Sequence, residues 1–188
     1  MIKEERQEIE RKFGRSLKNS EIGLILSSYD DIFSVFDPRP FSERSLSVDF
    51  LSEAERASKD KPLENLKLDL LVPKEQRDAK KESIIKRRLK EHFRKHFRNH
   101  RRERRKMIHQ GAIFTIFGVI IMFLAVLVLH TYQETSVFRN FLVILFEPAG
   151  WFLFWEGLNL IIFEAKKVKP KIEFYKKMYE CRINFFEY

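Results

Sequence analysis

The chain has 188 residues, with 36 Lys and Arg, 27 Asp and Glu, a formal charge of +9, and one cysteine. This length allows one or two domains, and a single cysteine excludes an internal disulfide. The sequence contains no nucleophile–base pattern, glycine-rich phosphate loop, zinc-protease motif or Cys-x-x-Cys pair. We therefore expect no enzyme, no cofactor and no metal site.

Residues 1–73 predict a small cytoplasmic region of helices with one strand. A charged helix is expected over residues 2–13, and Ser20 is suited to cap a second helix. Asp37-Pro38-Arg39-Pro40 would end that helix, because proline cannot donate a backbone hydrogen bond and biases its predecessor out of the helical region. Its apolar stripe at helical spacing is Ile22, Ile25, Tyr29, Ile32, Phe33 and Phe36.

Two further elements complete this region. A short helix is predicted from Ser47 or Asp49 to Arg56, with Phe50, Leu51 and Ala54 facing inward. Residues 66–72 alternate apolar and polar and end at Pro73, which predicts a strand. A lone strand is unstable, so it needs a partner. The candidates are the C-terminal residues 182–188 and the same strand of a neighbouring subunit.

Residues 74–110 predict a basic juxtamembrane helix. From Lys74 to Lys106 there are 16 Lys or Arg and 5 Asp or Glu, a net charge of +11, which leaves −2 for the rest of the chain. Its partner could be anionic lipid, an oligonucleotide or other polyanion, or an acidic protein, and Phe93 and Phe97 could stack on bases. The candidate polyanion-binding residues are Lys86, Arg87, Arg88, Lys90, Phe93, Arg94, Lys95, Phe97, Arg98, Arg101, Arg102, Arg104 and Arg105.

His92, His96 and His100 are four residues apart on the same helix. Histidines at this spacing can ligate zinc, but few carboxylates and no thiol stand near them in the sequence. We expect partly solvated imidazoles that titrate near neutral pH, which could act as a pH-sensitive element if the helices cluster.

Residues 111–131 and 139–164 are the predicted transmembrane helices, joined by an external turn at 132–138. No charged residue lies between Ala112 and Leu129, and such a segment covers most of a hydrocarbon core of about 30 Å. The alternative is a pair of buried helices in a soluble domain, against which the basic flanks argue. The predicted fold is a mostly α membrane protein, with a two-helix transmembrane hairpin, a small cytoplasmic α+β region and a long basic helix continuous with the first span.

The charges flanking the two spans predict the orientation. Lys and Arg crowd the beginning of the first span and the end of the second, whereas the linker carries only Arg139. Positive charge stays on the cytoplasmic side, so both termini are expected inside a cell inner membrane. Residues 165–188 then form a cytoplasmic helix beginning near Pro170, followed by the strand candidate.

The second span carries the candidate intramembrane residues Glu147, Pro148, Trp151, Trp155, Glu156 and Asn159. Ionisable groups within a bilayer are costly and are functional candidates. The carboxylates could lock helices together through hydrogen bonds, or form rings along a cation path in an oligomer. Gly150 and Gly157 mark a face where another helix can approach closely.

Two resemblances accompany these features. Phe36-Asp37-Pro38-Arg39-Pro40-Phe41, the strand, the basic helix and Gly150-Trp151 resemble uncharacterised prokaryotic two-span proteins, a resemblance that implies no activity. Glu147-Pro148-Ala149-Gly150-Trp151 is similar to the Glu-Pro pore segment of mitochondrial calcium uniporters, which have two spans per subunit and both termini inside. The preceding acidic residue of the uniporter falls on Ile144 here. This second resemblance implies cation conduction.

The sequence thus predicts a homo-oligomeric, cation-permeable pore or membrane effector gated from the cytoplasmic side, of the kind that permeabilises membranes in prokaryotic antiviral defence. The competing prediction is a non-conducting membrane anchor or scaffold whose basic helix recruits nucleic acid, anionic lipid or an acidic protein.

Overall fold

The computed structural model describes residues 21–62, 65–131 and 136–188. The chain forms two compact units. The first, which we call the sheet unit, comprises Met1–Phe97 and Glu173–Tyr188, and the second, the helical unit, comprises Arg98–Ile172. The helix predicted over residues 2–13 lies outside the described residues.

The sheet unit contains three parallel strands in the order β1-β2-β3: β1 (Glu21–Ile25), β2 (Lys67–Val72) and β3 (Arg182–Glu187). The predicted pairing of residues 66–72 with 182–188 is confirmed, and Leu68 lies opposite Ile183. On the other side of β2, Leu68 lies opposite Ile22.

The helix predicted from Ser20 to Phe36 is wrong. Ile22 and Leu26 are buried and lie an even number of residues apart, as residues on one face of a strand do. Gly23, which lies between them, is a poor helix former. The aromatic part of the predicted stripe belongs to a 3-10 turn, Tyr29–Ile32, in which Ser28 forms a capping box. The helical spacing of the predicted stripe therefore comes from two separate short elements, strand β1 and the 3-10 turn.

Helices cover one face of the sheet. Helix α1 (Val48–Ser58) buries Phe50 and Ala54, as predicted, although Leu51 is only half-buried. The beginning of α2 (Ala79–Thr131) and helix α4 (Lys169–Glu180) complete the layer. Their buried side chains Ile85, Leu89, Phe93, Phe174 and Met178 form one core with the alternate β2 residues Leu66, Leu68, Leu70 and Val72.

A buried polar cluster fixes the beginning of α2 at residue 79, five residues after the predicted start. The Asp78 carboxylate caps the helix by accepting a first-turn backbone N–H at 2.9 Å. Glu82, only 7% exposed, accepts from the Tyr29 hydroxyl at 2.9 Å and from Arg77 Nε at 2.5 Å. Burial of the Glu82 carboxylate is thereby compensated by an ion pair and a hydrogen bond.

The helical unit consists of the second half of α2 and of α3 (Val137–Asn159), which continues as a π-helical segment, Leu160–Glu164, and a short turn, Ala165–Lys167. The two helices pack antiparallel at glycines. A Cβ at Gly118 would lie 2.5 Å from the backbone nitrogen of Phe154 and 2.7 Å from the Gly150 oxygen, and Gly111 meets Gly157 in the same way. The predicted close approach at Gly150 and Gly157 is confirmed.

This packing predicts that Gly118→Val strongly destabilises the helical unit. The atoms that a side chain would meet belong to the α3 backbone, which cannot move aside as a flexible side chain can, so we expect a loss of about 1–3 kcal/mol or more. Thermal unfolding in a neutral detergent measures it. Val119→Leu, at a neighbouring residue that is 48% exposed, is the control and should unfold like the parent. An unchanged melting temperature for Gly118→Val would contradict the packing.

Candidate functional site

The outward face of α2 between Ile113 and Leu129 is uniformly apolar. Its exposed large side chains are Ile, Val, Leu and Phe, and Phe117 and Phe123 are 56% and 61% exposed. The Thr115 hydroxyl donates to the Gly111 carbonyl within the helix at 2.9 Å. Such a surface suits lipid chains and requires no protein partner.

Helix α3 differs because polar and amphipathic side chains follow one another along it. Glu147, Trp151, Trp155 and Asn159 are each four residues apart and form a single slowly turning ridge, which we call the α3 ridge. The indole rings of Trp151 and Trp155 are 61% and 50% exposed, with centroids 5.9 Å apart in an edge-on arrangement. Glu147 is exposed and Asn159 half-buried.

The polar side chains of α3 have no partners within the described residues. Neither carboxylate, of Glu147 or of Glu156, forms a hydrogen bond or ion pair there, and the Thr115 hydroxyl is already committed to its own helix. The prediction that these carboxylates lock the two helices of one chain together therefore finds no support among the described contacts.

Glu147 and Glu156 do not share a face. They are nine residues apart, 156 minus 147, which at about 100° per residue places them on opposite sides of a regular helix and about 13 Å apart along its axis. Glu156 lies beside Asn159, three residues on, whereas Glu147 lies beside Trp151. The two carboxylates therefore cannot both point at one axis from a straight helix.

Two irregularities flank the polar residues. Pro148, next to Glu147, cannot donate to the Ile144 carbonyl and weakens the helix at that turn. The π-helical segment begins at Leu160, immediately after Asn159. Such segments are frequent at functional sites, and this one changes the direction of every side chain beyond it.

Several residues in the first part of the predicted polyanion site instead make contacts within the sheet unit. Arg88 Nε donates to the Arg44 carbonyl at 3.0 Å. Lys90 Nζ donates to the carbonyls of Tyr179 and Cys181, which close the end of α4, and burial lowers the pKa of Lys90. Lys86 and Arg94 lie over the rings of Phe185 and Tyr179, whereas Arg87 and Lys95 are exposed.

The aromatic part of that prediction needs correction. Phe93 is fully buried in the core, edge-on to Phe174 at 6.2 Å, because α4 covers this face of α2, so it cannot stack on a base. Phe97 is half-buried. His92 also differs from expectation, since burial and then the positive neighbours His96, Arg88 and Lys95 lower its pKa to about 4.

The remaining predicted cations form an exposed band at the beginning of the helical unit. These residues are Arg98, Arg101, Arg102, Arg104 and Arg105, and Lys106 extends the band. Because Gly111 packs against Gly157, the part of α2 around residue 111 lies beside the carboxyl end of α3. The exposed lysines just after α3 therefore lie near the band of arginines; they are Lys166, Lys167, Lys169 and Lys171. The helical unit is thus apolar along its length and strongly positive at one end.

Hydrogen bonds to Asp37 hold the Phe-Asp-Pro-x-Pro-Phe turn together. Asp37 accepts from Arg39 Nε at 2.9 Å and Nη2 at 2.7 Å, and from the Ser45 backbone N–H at 2.7 Å. These bonds hold the pKa of the Asp37 carboxyl far below its usual value. The turn holds Phe36, 93% exposed, away from the core, so Phe36 is not the buried residue of the predicted stripe.

Comparison with known proteins finds no family model, no curated protein and no solved structure that matches the chain. Both family resemblances stay predictions, and function has to be inferred from the geometry described above.

The environment of His92 predicts a pH effect on stability. Its ring lies 4.2 Å from the His96 ring and 6.4 Å from that of Tyr175, and its Nε2 is buried without a hydrogen-bond partner in the described structure. Between pH 6.5, the ordinary pKa, and about 4, the unfolded chain binds a proton that the folded chain does not. The stability that the folded chain gains by keeping the His92 ring neutral is therefore complete above pH 6.5, and it is lost as the pH falls towards 4.

Urea midpoints measured from pH 7 to 4.5 in neutral detergent test this effect. His92→Gln should flatten the pH dependence relative to the parent, and His109→Gln, at an exposed position, should leave it unchanged. Equal slopes for the parent and His92→Gln would show that His92 titrates normally.

Proposed function

We propose that the protein is a homo-oligomeric integral membrane protein in which α2 and α3 cross the bilayer as a hairpin and α3 lines a cation-permeable pore. The observation that carries the proposal is a contrast between two helices: the outer surface of α2 from Ile113 to Leu129 is apolar, whereas α3 carries exposed or half-buried polar residues that have no partner among the described residues.

Membrane insertion is supported by length, hydropathy and exposure together. Both helices contain stretches that are long and apolar enough to cross a membrane, and only 11% and 6% of these stretches is buried within the chain. The apolar core helix of a soluble protein would be covered by its own chain. An exposed surface of this size needs another apolar environment.

The orientation follows from the exposed cations. The exposed cations Arg101 to Lys106 of α2 lie at the same end of the α2–α3 pair as Lys166 and Lys167, which follow α3, and Lys169 and Lys171, which begin α4. By the positive-inside rule this end is cytoplasmic, where each cation gains about 1 kcal/mol beside anionic lipid. Both termini are then cytoplasmic, in an inner membrane.

Oligomerisation follows from the cost of leaving the α3 ridge in lipid. An acidic residue near the bilayer centre costs about 2.5–3.5 kcal/mol on insertion scales, and Asn159 and the two indole N–H groups add to this cost. Facing another copy removes the cost, because water or neighbouring polar groups then replace hydrocarbon. Two helices cannot enclose a pore alone, so a ring of copies is required, and one carboxylate from each copy at its axis would favour cations.

Control from the cytoplasm would act through α2. The exposed cations from Arg98 to Arg105 lie on the same unbroken helix as the first span. A polyanion, such as an oligonucleotide, that bound them would act directly on that helix. This arrangement suits a gated membrane effector, and antiviral permeabilisation is one role of that kind.

Ion flux into liposomes containing the purified protein tests conduction. Because Glu147 and Glu156 lie on opposite sides of α3, we expect one of Glu147→Gln and Glu156→Gln, and not both, to lower cation flux by about tenfold or more. Glu164→Gln, on the same chain segment but ion-paired to Lys167, is the matched control and should conduct like the parent. Parental flux in both glutamine variants would contradict a carboxylate-lined pore.

A non-conducting anchor or scaffold is the second candidate. It is favoured by the opposite placement of Glu147 and Glu156, which is poorly suited to two carboxylate rings on one axis. The α3 ridge would then bind copies to one another, while the exposed band of Arg residues recruits anionic lipid, nucleic acid or an acidic protein. Absence of flux from a stable oligomer that still binds oligonucleotide or anionic liposomes would establish this candidate over the pore.

A further inference from the structure

A groove of about 770 Å³ follows the edge of β1 that pairs with no other strand in the described part of the sheet unit. The β1 edge and helix α1 line its sides, with Leu24 and Phe50 among the apolar lining residues, and Val35 stands beside it. This volume falls within the range of ligand-binding clefts. Nothing in the proposed membrane function uses this groove.

The β1 edge offers unpaired backbone groups to the groove. The Leu26 N–H donates to the Leu71 carbonyl at 2.8 Å, so residue 26 points its backbone towards β2. Backbone direction alternates along a strand, which places the N–H and C=O groups of Gly23 and Ile25 on the outer side. Neither residue makes a ladder bond on that side within the described structure.

This edge lacks the features that usually prevent a strand from being added. Natural edge strands are protected by lysine, proline or a bulge, whereas the β1 sequence Glu21–Ile25 contains none of these and pairs with β2 in unbroken register. Gly23 in particular has no side chain to obstruct an approaching backbone.

The groove selects for apolar side chains and positive charge. Leu24 is half-buried while Ile22 and Leu26 on the same face are 2% and 4% exposed, and Val35 is 77% exposed, so an apolar surface faces the groove. Its lining includes four carboxylates and one guanidinium, and Arg44 pairs with one of the carboxylates from outside, which leaves a net charge of −2. The lining carboxylates are those of Asp30, Asp31, Asp49 and Glu53, and the guanidinium is that of Arg56.

We propose that this groove binds an extended, basic segment of a partner protein, which adds to β1 as a fourth strand of the sheet. The backbone of the segment would exchange hydrogen bonds with Gly23 and Ile25. Alternate side chains would enter the groove against Leu24, and Lys or Arg would pair with the rim carboxylate of Asp49. Main-chain bonds supply affinity in this mode of recognition, and the pockets for alternate side chains supply specificity.

The test uses the full chain in a neutral detergent and a short fluorescein-labelled peptide of alternating lysine and valine. Fluorescence anisotropy should show saturable binding that weakens with salt. A peptide N-methylated on one edge should bind at least about tenfold more weakly, since it cannot complete the ladder, and a glutamate–valine peptide should not bind.

Protein variants locate the site. Gly23→Pro removes an outward N–H without touching the β1–β2 ladder, so the sheet unit should keep its melting temperature and lose about tenfold or more in peptide affinity. Asp49→Lys should weaken binding by reversing charge at the rim. Glu91→Lys makes the same change at an exposed position of α2 outside the groove and should bind like the parent.

The proposal is overturned if the lysine–valine peptide does not bind the parent, if N-methylation leaves affinity unchanged, or if Glu91→Lys weakens binding as much as Asp49→Lys. The last result would reduce the effect to net charge. If Gly23→Pro unfolds the sheet unit, the proposal is tested by the affinity of the N-methylated peptide and by the comparison of Asp49→Lys with Glu91→Lys. None of these results depends on whether the protein conducts ions.

Discussion

In hydrocarbon, every polar group must find a partner inside the protein, and the proposed membrane function depends on how the helical unit meets this constraint. Between Ile113 and Leu129, α2 meets this requirement within one chain, because the one hydroxyl there, that of Thr115, bonds to its own backbone and the outward side chains are apolar. Helix α3 does not, since Glu147, Glu156 and Asn159 lack partners among the described residues. The glycine contacts between α2 and α3 leave the α3 ridge uncovered, and the proposed oligomer would supply the partners that a single copy in a bilayer lacks.

The topology of the sheet explains how a small unit can carry two long apolar helices. Parallel strands need a crossover connection, which is usually one helix packed on the sheet. Here the crossover from β2 to β3 runs from residue 73 to 181 and contains the whole helical unit. Only its two ends, the beginning of α2 and α4, provide the covering layer. The pairing of β2 with β3 therefore joins the beginning and the end of the apolar segment.

Sequence patterns were sufficient where one residue type dominated a long segment. The unbroken run without glycine or proline predicted α2, the alternation of leucines predicted β2, and Gly150 and Gly157 predicted close helix packing. Strand β1 was missed because Ile22, Ile25 and Tyr29 also fit a helical spacing, and only pairing with β2 decides between the two. The buried roles of Phe93 and Lys90 could not be foreseen, because they depend on α4 returning to the sheet from 80 or more positions away in the chain. That of Arg88 depends on the backbone carbonyl of Arg44.

Disulfide cross-linking in membranes tests most directly whether the α3 ridge faces another copy. Cys181 needs no replacement, since it is 2% exposed and burial raises the pKa of its thiol to about 11. Under mild oxidation Trp155→Cys should form linked dimers efficiently, while Phe123→Cys, on the apolar surface of α2, should remain monomeric. Efficient linkage through Phe123→Cys with none through Trp155→Cys would place α2 between the copies and contradict the account.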